Sequence, residues 1–280
     1  MPLVTTKEML EDAYQNNYAI GAFGAHNLEI IKGVIAGAEK VGAPVILQTT
    51  SSTYQYVEMP YMIALAKEVA EQAKVPVALH LDHGESFKVV MECLRAGYTS
   101  VMIDGSKLPF EENVNLVKKV VEVASAVNVP VEAELGTIGG VEDDLVVDEK
   151  NAFFTDPHLA ERFVKETGIQ TFAPAFGTAH GKYKQEPKLQ FELLDQIHRV
   201  TNVPLVMHGA SGVSEESVRK SLNFGIAKVN FSTELKDLFS EQIRAFFIEN
   251  PNENDPRKYF VPAREAIVKL VEQKIVMLQK

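Results

Sequence analysis

The chain has 280 residues, of which 46% are hydrophobic and 24% are charged, a composition typical of a globular protein with a large apolar core. Its formal net charge of -10 disfavours binding to nucleic acid or to an anionic membrane, since both need clustered lysine and arginine. A single cysteine, Cys93, excludes a disulfide framework and a paired-cysteine metal or redox site.

The N-terminal sequence, MPLVTTKEML, has no cationic segment before an apolar run, so it predicts no signal peptide. No stretch approaches the roughly 20 apolar residues that span a bilayer. We therefore expect a cytoplasmic protein that contacts neither membrane nor nucleic acid. The neighbours of Cys93 predict that its side chain is a small buried hydrophobe.

The predicted elements alternate between strand and helix along most of the chain. Thr5 or Thr6 can cap a first helix that runs to about Asn16. Short apolar runs then predict strands at 19–23, 44–48, 76–80, 100–103, 130–134, 170–174, 204–208 and 226–230. Apolar residues at three- and four-residue spacing predict helices at 28–40, 59–73, 87–96, 113–126, 157–167, 191–199 and 214–224. Glycines that are typical of helix C-caps follow four of these helices, at 42, 97, 168 and 225.

Eight such units indicate a parallel sheet closed into a (β/α)8 TIM barrel of the α/β class. No GxGxxG follows the first strand, which disfavours a doubly wound sheet. We expect residues 1–280 to form a single barrel domain in which residues 234–280 are C-terminal helices. These comprise a helix from 234, a polar break at 250–257 and a final helix from about Pro262. The long polar connection at 139–154 is typical of a lid.

Polar residues gather where the predicted strands end. The segment PVALHLDHGE (76–85) begins as a buried strand and finishes in imidazole and carboxylate groups, and FGTAHG (176–181) and VMHGASG (206–212) do the same. In a barrel of this kind the active site lies at the carboxyl ends of the strands. The polar residues predicted there are Asn27, Ser51, Ser52, Asp82, His83, Asp104, Glu132, Glu134, His180, His208, Ser211, Asn230, Ser232 and Thr233.

Three of the seven histidines, His83, His180 and His208, each precede a glycine at a predicted strand end. Three histidines from three strands can bind zinc and leave a fourth position open to a substrate. For any one of them alone, a hydrogen-bonded structural histidine is the alternative. His26 is a weaker candidate, and His80 is expected to support the site rather than to bind metal.

The seventh and eighth strands are followed by segments suited to a phosphate group. GASG (209–212) and NFST (230–233) supply backbone N–H groups and hydroxyls, and a predicted helix starts just after each. Phosphate sites in barrels commonly use these two loops together with a helix N-terminus.

Six motifs, in this order, resemble those of class II, metal-dependent ketose-bisphosphate aldolases. They are HLDHG (80–84), VMIDGS (101–106), VEAELG (131–136), GTAHG (177–181), VMHGASG (206–212) and DPRKY (255–259), and the resemblance runs from Leu3 to about Val276. It implies a barrel enzyme that reversibly cleaves a ketose 1,6-bisphosphate into dihydroxyacetone phosphate and an aldehyde, either glyceraldehyde 3-phosphate or a related three-carbon compound. It also implies a homo-oligomer, either a dimer or a tetramer.

The resemblance implies roles for individual residues. His83, His180 and His208 would bind the catalytic zinc ion, with Asp104 and Glu134 at an alternate metal position. Asp82 would move the proton of the C4 hydroxyl, and Glu142 the proton at C3 of dihydroxyacetone phosphate. The expected substrate and phosphate contacts are Gly181, Gly209, Ser211, Asn230, Ser232, Thr233 and, from a neighbouring subunit, Arg257. Carbonyl groups around Ala179, Gly181, Gly209 and Ser211 resemble a site for Na⁺ or K⁺.

The sequence leaves the substrate open. The first strand usually ends Phe-Asn in this family, but Phe23-Gly24 stands here, which affects recognition of the aldehyde. GTAHG, HGASG and STEL resemble tagatose-bisphosphate aldolases, whereas DPRKYFVPAREAI resembles fructose-bisphosphate aldolases. A related ketose phosphate is a further alternative.

Two other functions are weighed against this one. A Schiff-base aldolase needs a desolvated lysine on a strand, and Lys228 is the candidate. A non-catalytic sugar-phosphate-binding barrel could keep the phosphate loops but should lose Asp82 or a histidine, and all are present.

Overall fold

Eight of the eleven strands in the described part of the chain form a closed parallel barrel. The computed structural model describes residues 2–142, 145–147, 153–183 and 185–279, and their side chains except at 140–142 and 145–147. The strands are β1 (Ile20–Gly24), β2 (Val45–Thr49), β3 (Val77–Gly84), β4 (Ser100–Ile103), β5 (Val131–Leu135), β6 (Gly139–Glu142), β7 (Leu145–Val147), β8 (Thr171–Pro174), β9 (Ala179–His180), β10 (Leu205–Met207) and β11 (Ile226–Phe231). The barrel order is β1-β2-β3-β4-β5-β8-β10-β11, and β11 pairs again with β1. The predicted (β/α)8 fold is confirmed.

Helices cover the outside of the barrel. They are α1 (Thr6–Asn16), α2 (Leu28–Val41), α3 (Ser51–Val57), α4 (Met59–Gln72), α5 (Phe87–Ala96), α6 (Phe110–Ala126), α7 (Pro157–Thr167), α8 (Phe191–Thr201), α9 (Glu215–Leu222), α10 (Thr233–Glu249) and α11 (Pro256–Leu278). Each predicted helix between strands is present, with ends shifted by a few residues. Gly42, Gly97 and Gly168 are left-handed C-caps as predicted, but Asn223 rather than Gly225 caps α9. Among the described residues, no helix is both long and apolar enough to cross a membrane.

The final helix begins earlier than predicted. Asp255 is its N-cap and accepts a hydrogen bond from the backbone N–H of Arg257 at 3.0 Å. Pro256 occupies the first helical position, which favours proline because no partner for its nitrogen is needed there. Arg257 therefore lies in the first turn of α11 rather than in a polar break, and Pro262 lies inside the helix.

The connection after β5 contains structure that the sequence pattern did not predict. β6 and β7 form an antiparallel hairpin within the predicted lid, and β9 pairs with β6 so that His180 lies opposite Gly140.

The extra helix α3 follows β2 directly, in the hydroxyl-rich sequence after Gln48.

The amino-terminal end of the barrel is closed by apolar side chains. Leu10 and Ala13 of α1 pack against Ile20, Ile46 and Ala78 at the starts of three strands. A larger apolar layer lies between the strands and the outer helices, and Cys93 is fully buried in it as predicted. The polar groups of the barrel interior therefore lie above an apolar floor.

Helix α11 is held against the barrel by close contact with α2. Gly33 and Gly37 on α2 face Ile267 and Val271 on α11, and a Cβ at Gly37 would lie 2.8 Å from both the carbonyl oxygen of Val268 and the Cβ of Val271. The absence of side chains at these glycines lets the two helix backbones approach each other.

Gly37→Val should therefore force α11 away from α2. We expect the free energy of unfolding to fall by about 1–3 kcal/mol, the usual cost of overpacking. Urea denaturation followed by circular dichroism measures this change. Lys32→Val, which introduces the same side chain at an exposed site of α2, is the matched control. Equal stability of the two variants would contradict the close contact.

Candidate active site

The carboxyl end of β3 places two neighbouring side chains in the mouth of the barrel. Successive residues of a regular strand point to opposite faces. The pairing of β3 with β4 shifts register between Leu81 and Gly84, and His83 has a left-handed backbone with φ of 47°. Asp82 and His83 are both buried and both face other strands across the barrel, as a bulge permits. Gly84 is needed because a Cβ there would collide with the carbonyl oxygen of Met102.

Three histidine rings meet at this end of the barrel. The ring centroids of His83 and His208 are 4.7 Å apart, those of His83 and His180 are 5.0 Å apart, and those of His180 and His208 are 5.7 Å apart. Their candidate ligand atoms lie within 4.8 Å of one another. The sequence predicted His180 at the end of a barrel strand, but the barrel strand β8 ends at Pro174. His180 instead lies in β9, a short strand outside the barrel that pairs with β6.

Hydrogen bonds fix which nitrogen of two of these rings faces the cluster. Nδ1 of His83 lies 3.0 Å from Oδ2 of Asp104, and Nε2 of His208 lies 2.8 Å from Oε1 of Glu132. Ionised carboxylates only accept hydrogen bonds, so these two nitrogens carry the protons. Nε2 of His83 and Nδ1 of His208, 3.0 Å apart, are left with lone pairs directed at the same region.

The spacing of these ring nitrogens suits the binding of a metal ion. In a tetrahedral zinc site with Zn–N bonds of about 2.0–2.1 Å, neighbouring ligand nitrogens are about 3.3 Å apart, close to the observed separation. Burial, together with the neighbouring His83 and His208, lowers the pKa of His180 well below its ordinary value. A neutral imidazole is the form that binds a metal.

Asp104 and Glu134 lie on the other side of His83, and the three residues form a second group with ligand spacing. Burial alone would raise the pKa of Asp104, but its hydrogen bonds with His83 and Ser106 hold that pKa well below its usual range. The pKa of Glu134 is raised well above its usual range by burial and by the Asp104 carboxylate. The two carboxyl groups thus differ sharply in how readily they ionise.

Asp82 is a buried carboxylate with one oxygen available. Its Oδ1 accepts a hydrogen bond from Nδ2 of Asn230 at 3.2 Å, whereas Oδ2 has no hydrogen-bond partner among the residues that the structure describes. A buried carboxylate oxygen that lacks a hydrogen-bond donor raises the free energy of the folded protein unless another group binds to it. Oδ2 is therefore suited to accept a proton or a hydrogen bond from a bound molecule.

The two segments predicted to hold a phosphate group, GASG (209–212) and NFST (230–233), lie side by side next to the histidines. Oγ of Ser211 accepts a hydrogen bond from the backbone N–H of Glu234 at 3.4 Å, which joins the loop after β10 to the first turn of α10. Ser232 is the N-cap of that helix, and Thr233 is its first residue. A helix N-terminus attracts anions through its free N–H groups and its dipole.

Tyr183 links the backbones that carry two of the histidines. Its hydroxyl accepts a hydrogen bond from the N–H of Ala179 at 2.6 Å and donates one to the carbonyl of Gly209 at 2.7 Å. A Cβ at Gly209 would collide with the carbonyl oxygen of Ala179, so this crossing needs glycine. Gly181 follows His180 directly and lies at the same mouth.

The space beside Gly24 is taken by His26. Nδ1 of His26 lies 3.1 Å from Oγ1 of Thr53, and Nε2 lies 3.3 Å from Oγ of Ser232. A Cβ at Gly24 would lie 2.6 Å from Nε2 of His26, so no larger residue fits there with the ring in this position. Asn27 caps α2 through its side chain, which is a structural role.

Arg257, a predicted site residue, is not brought into this cluster. Arg257 has an 89% exposed side chain that pairs with Asp255 at 3.0 Å. The backbone of Glu142 ends β6, but its side chain lies outside the described residues.

Sequence reasoning named Lys228, Glu132 and His80 separately but missed that they form one buried polar group below the histidines. Lys228 donates to Oε2 of Glu132 at 2.8 Å and lies 3.2 Å from Nε2 of His80, and all three side chains are excluded from solvent. Glu132 was predicted at a strand end, but it lies inside β5. The sequence did contain a signal for this group. Lys228 and Asn230 are two residues apart on β11, and His80 and Asp82 are two residues apart on β3. Residues at that spacing point to the same face of a strand.

Comparison with known proteins identifies the family. The family described as fructose-bisphosphate aldolase class-II matches residues 4–280. The solved YdjI aldolase from Escherichia coli K12 is 32% identical, with a TM-score of 0.88 over 99% of this chain and 97% of that one.

Two further structures are similar. A putative fructose-1,6-biphosphate aldolase from Coccidioides immitis is 30% identical, with a TM-score of 0.88 over 97% of this chain and 94% of that one. Fructose-bisphosphate aldolase from Campylobacter jejuni is 24% identical and shares the fold, with a TM-score of 0.81 over 99% and 95% of the two chains.

Proposed function

The chain belongs to the class II fructose-bisphosphate aldolase family and is therefore an aldolase acting on a small sugar phosphate, and we propose its specific reaction. The reaction is reversible cleavage of a ketose 1,6-bisphosphate, of the fructose or tagatose type, into dihydroxyacetone phosphate and glyceraldehyde 3-phosphate. The observation that supports it most directly is the position of Asp82. This buried carboxylate has one open oxygen and is next in sequence to a residue of the three-histidine cluster.

We propose that His83, His180 and His208 hold a zinc ion. A zinc ion in this position supplies Lewis-acid stabilisation of the negative charge that develops on the ketone oxygen of the substrate. Asp104 keeps the His83 ring in the required tautomer through its 3.0 Å contact with Nδ1. Asp104 and Glu134 are proposed as an alternate metal position, which their grouping with His83 supports.

Asp82 is proposed as the group that takes the proton from the C4 hydroxyl when the C3–C4 bond breaks. A general base needs a free carboxylate oxygen within hydrogen-bond reach of that hydroxyl, and no donor in the described part of the chain occupies Oδ2. Asn230 fixes the other oxygen and so orients the carboxylate. In the reverse direction, protonated Asp82 returns the proton to the new alkoxide.

The dihydroxyacetone phosphate part of the substrate is proposed to lie against the joined loops. Backbone groups and hydroxyls there can fix its phosphate, and they come from Gly181, Gly209, Ser211, Asn230, Ser232 and Thr233. Glu142 is proposed to exchange the proton at C3, and Arg257 to bind the distal phosphate in the site of a neighbouring subunit of a dimer or tetramer. A monovalent cation beside these loops and a cytoplasmic location stay predictions.

The Schiff-base alternative is disfavoured by the surroundings of Lys228. A nucleophilic lysine needs an uncharged amine that can reach the carbonyl of the substrate. Lys228 instead faces the ionised Glu132 at 2.8 Å, below the histidine cluster.

Removal of the metal should abolish cleavage. We expect chelated protein to be inactive on fructose and tagatose 1,6-bisphosphates and zinc to restore cleavage of at least one, with kcat/KM identifying the substrate. His180→Ala should lose bound zinc, whereas His158→Ala, at an exposed helical position, should keep it. Full activity of the metal-free protein would exclude the proposed role of zinc, and zinc-loaded protein inactive on both sugars would exclude the proposed substrates.

Asp82→Asn should lower kcat by about 10²–10⁴-fold, the usual contribution of a positioned acid or base, while zinc content stays unchanged. The amide keeps the size of the side chain but cannot accept the proton. Steady-state kinetics and metal analysis of the same sample measure both effects. Glu85→Gln, the same change at an exposed position beyond β3, is the control. An equal loss of zinc would reassign Asp82 as a ligand.

Arg257→Ala subunits mixed with Asp82→Asn subunits should recover activity if Arg257 completes a neighbouring site. In a dimer, random exchange gives about a quarter of the sites both wild-type residues. Activity after verified subunit exchange is the measurement. Mixing Asp82→Asn chains with chains that carry both substitutions forms no wild-type site and is the control. No recovery above that control would mean that Arg257 acts within its own subunit or not at all.

A further inference from the structure

The barrel interior contains a charged layer where apolar packing would be expected. Lys228 is 0% exposed and Glu132 is 1% exposed, and each comes from the middle of a barrel strand. Removing two such charges from water costs several kcal/mol per ion, so pairing alone rarely makes them a net gain in stability. Their presence therefore calls for a reason other than stability.

The layer resembles a metal site that an ammonium group already fills. His80, Asp82 and Glu132 have candidate ligand atoms within 4.8 Å of one another. Nζ of Lys228 lies 2.8 Å from Oε2 of Glu132 and 3.2 Å from Nε2 of His80. The cation that this group of residues attracts is thus supplied by the chain itself.

The hydrogen bonds of this layer have one consistent direction. An ammonium group only donates, so Nε2 of His80 accepts from Lys228, and Nδ1 of His80 donates to Oγ of Ser100 at 2.8 Å. Burial and the Lys228 charge lower the pKa of His80 to about 3, in agreement with a neutral ring. Glu132 accepts from Lys228 through Oε2 and from Nε2 of His208 through Oε1.

Glu132 therefore stands between a fixed cation and a histidine of the metal cluster. Burial would raise the pKa of Glu132, but Lys228 and the hydrogen bond from His208 hold it well below its usual range. Because Oε1 accepts a hydrogen bond from Nε2–H of His208, the lone pair of Nδ1 is left to face His83. Carboxylate partners of this kind orient metal-binding histidines and set their tautomer.

We propose that Lys228 is a positioning residue for the metal centre, a resident cation that fixes Glu132 and, through it, the orientation and tautomer of His208. This inference rests on the metal site of the proposed function. It assigns Lys228 no contact with substrate and no covalent step. It also explains why the barrel contains a charged layer that is costly in stability.

Two substitutions test the proposal from opposite ends of the pair. Lys228→Met removes the cation with little change in volume, and Glu132→Gln leaves one acceptor for two donors, Lys228 and Nε2 of His208. We expect each to weaken zinc binding by about 10–100-fold, the usual effect of losing a partner of a metal ligand. Competition with a chromophoric chelator measures the zinc dissociation constant, and the absorption spectrum of the Co²⁺-substituted protein reports the ligand geometry.

A matched control separates this effect from general damage to the barrel. Thr49→Val removes a different buried hydrogen bond, the 2.7 Å contact with the hydroxyl of Tyr98, and should leave zinc affinity and the Co²⁺ spectrum unchanged. Circular dichroism of each metal-free variant establishes that it is folded. Unchanged zinc affinity in folded Lys228→Met would overturn the proposal.

The charge-reversed double variant, Lys228→Glu with Glu132→Lys, keeps an ion pair but removes the acceptor for His208. If the pair serves stability alone, this variant should bind zinc as the wild type does, which would contradict our inference. We expect its zinc affinity and its Co²⁺ spectrum to differ from those of the wild type, even if its free energy of unfolding equals that of the wild type. Failure of the wild-type protein to bind zinc would instead remove the proposed metal site, so the two failures are distinguishable.

Discussion

The contact between Lys228 and Glu132 is the interaction on which the interior of this barrel depends. A closed barrel of eight strands has little internal space, and here that space contains a cation and an anion 2.8 Å apart above an apolar floor. Neither charge could remain there without the other, because an unpaired buried ion costs several kcal/mol. The pair in turn meets His80 below and His208 above. A continuous chain of hydrogen bonds therefore begins at Ser100, which also contacts Thr6 of the first helix. It runs through His80, Lys228 and Glu132 to His208 of the histidine cluster.

The fold was predictable because local signals agreed with one another along the chain. Prolines precede several strands, glycines at 42, 97 and 168 end helices in left-handed conformations, and apolar spacing separates the two element types. The signals failed where an element is too short to show a period. β6 and β7 have four and three residues, and α3 has seven, several of them hydroxyl residues, so none of the three shows the periodicity that predicts it. The sequence pattern predicts a start of α11 at about Pro262, whereas the helix begins after Asp255, which caps it, with Pro256 in its first turn.

The candidate site was predictable to the extent that its residues stand at strand ends. His83 and His208 were found in this way, and so was Asp82, although the bulge that lets Asp82 and His83 share one face cannot be read from the sequence. The contacts among Lys228, Glu132 and His80 were not predictable, since they join three strands whose register is set only when the barrel closes. The same limit applies to His26, whose position depends on the missing side chain of Gly24 and on Ser232, more than two hundred residues away.

The pairing of β6 with β9 has a consequence for motion at the site. Gly140 lies opposite His180, so the hairpin over the barrel and the backbone of one histidine belong to the same small sheet. Opening of that sheet has to break hydrogen bonds that both segments share. Amide hydrogens of the two strands should consequently exchange with solvent as one cooperative unit, and a ligand that orders the hairpin should slow exchange beside His180 as well. The β6–β7 hairpin and the backbone of His180 are thus mechanically coupled.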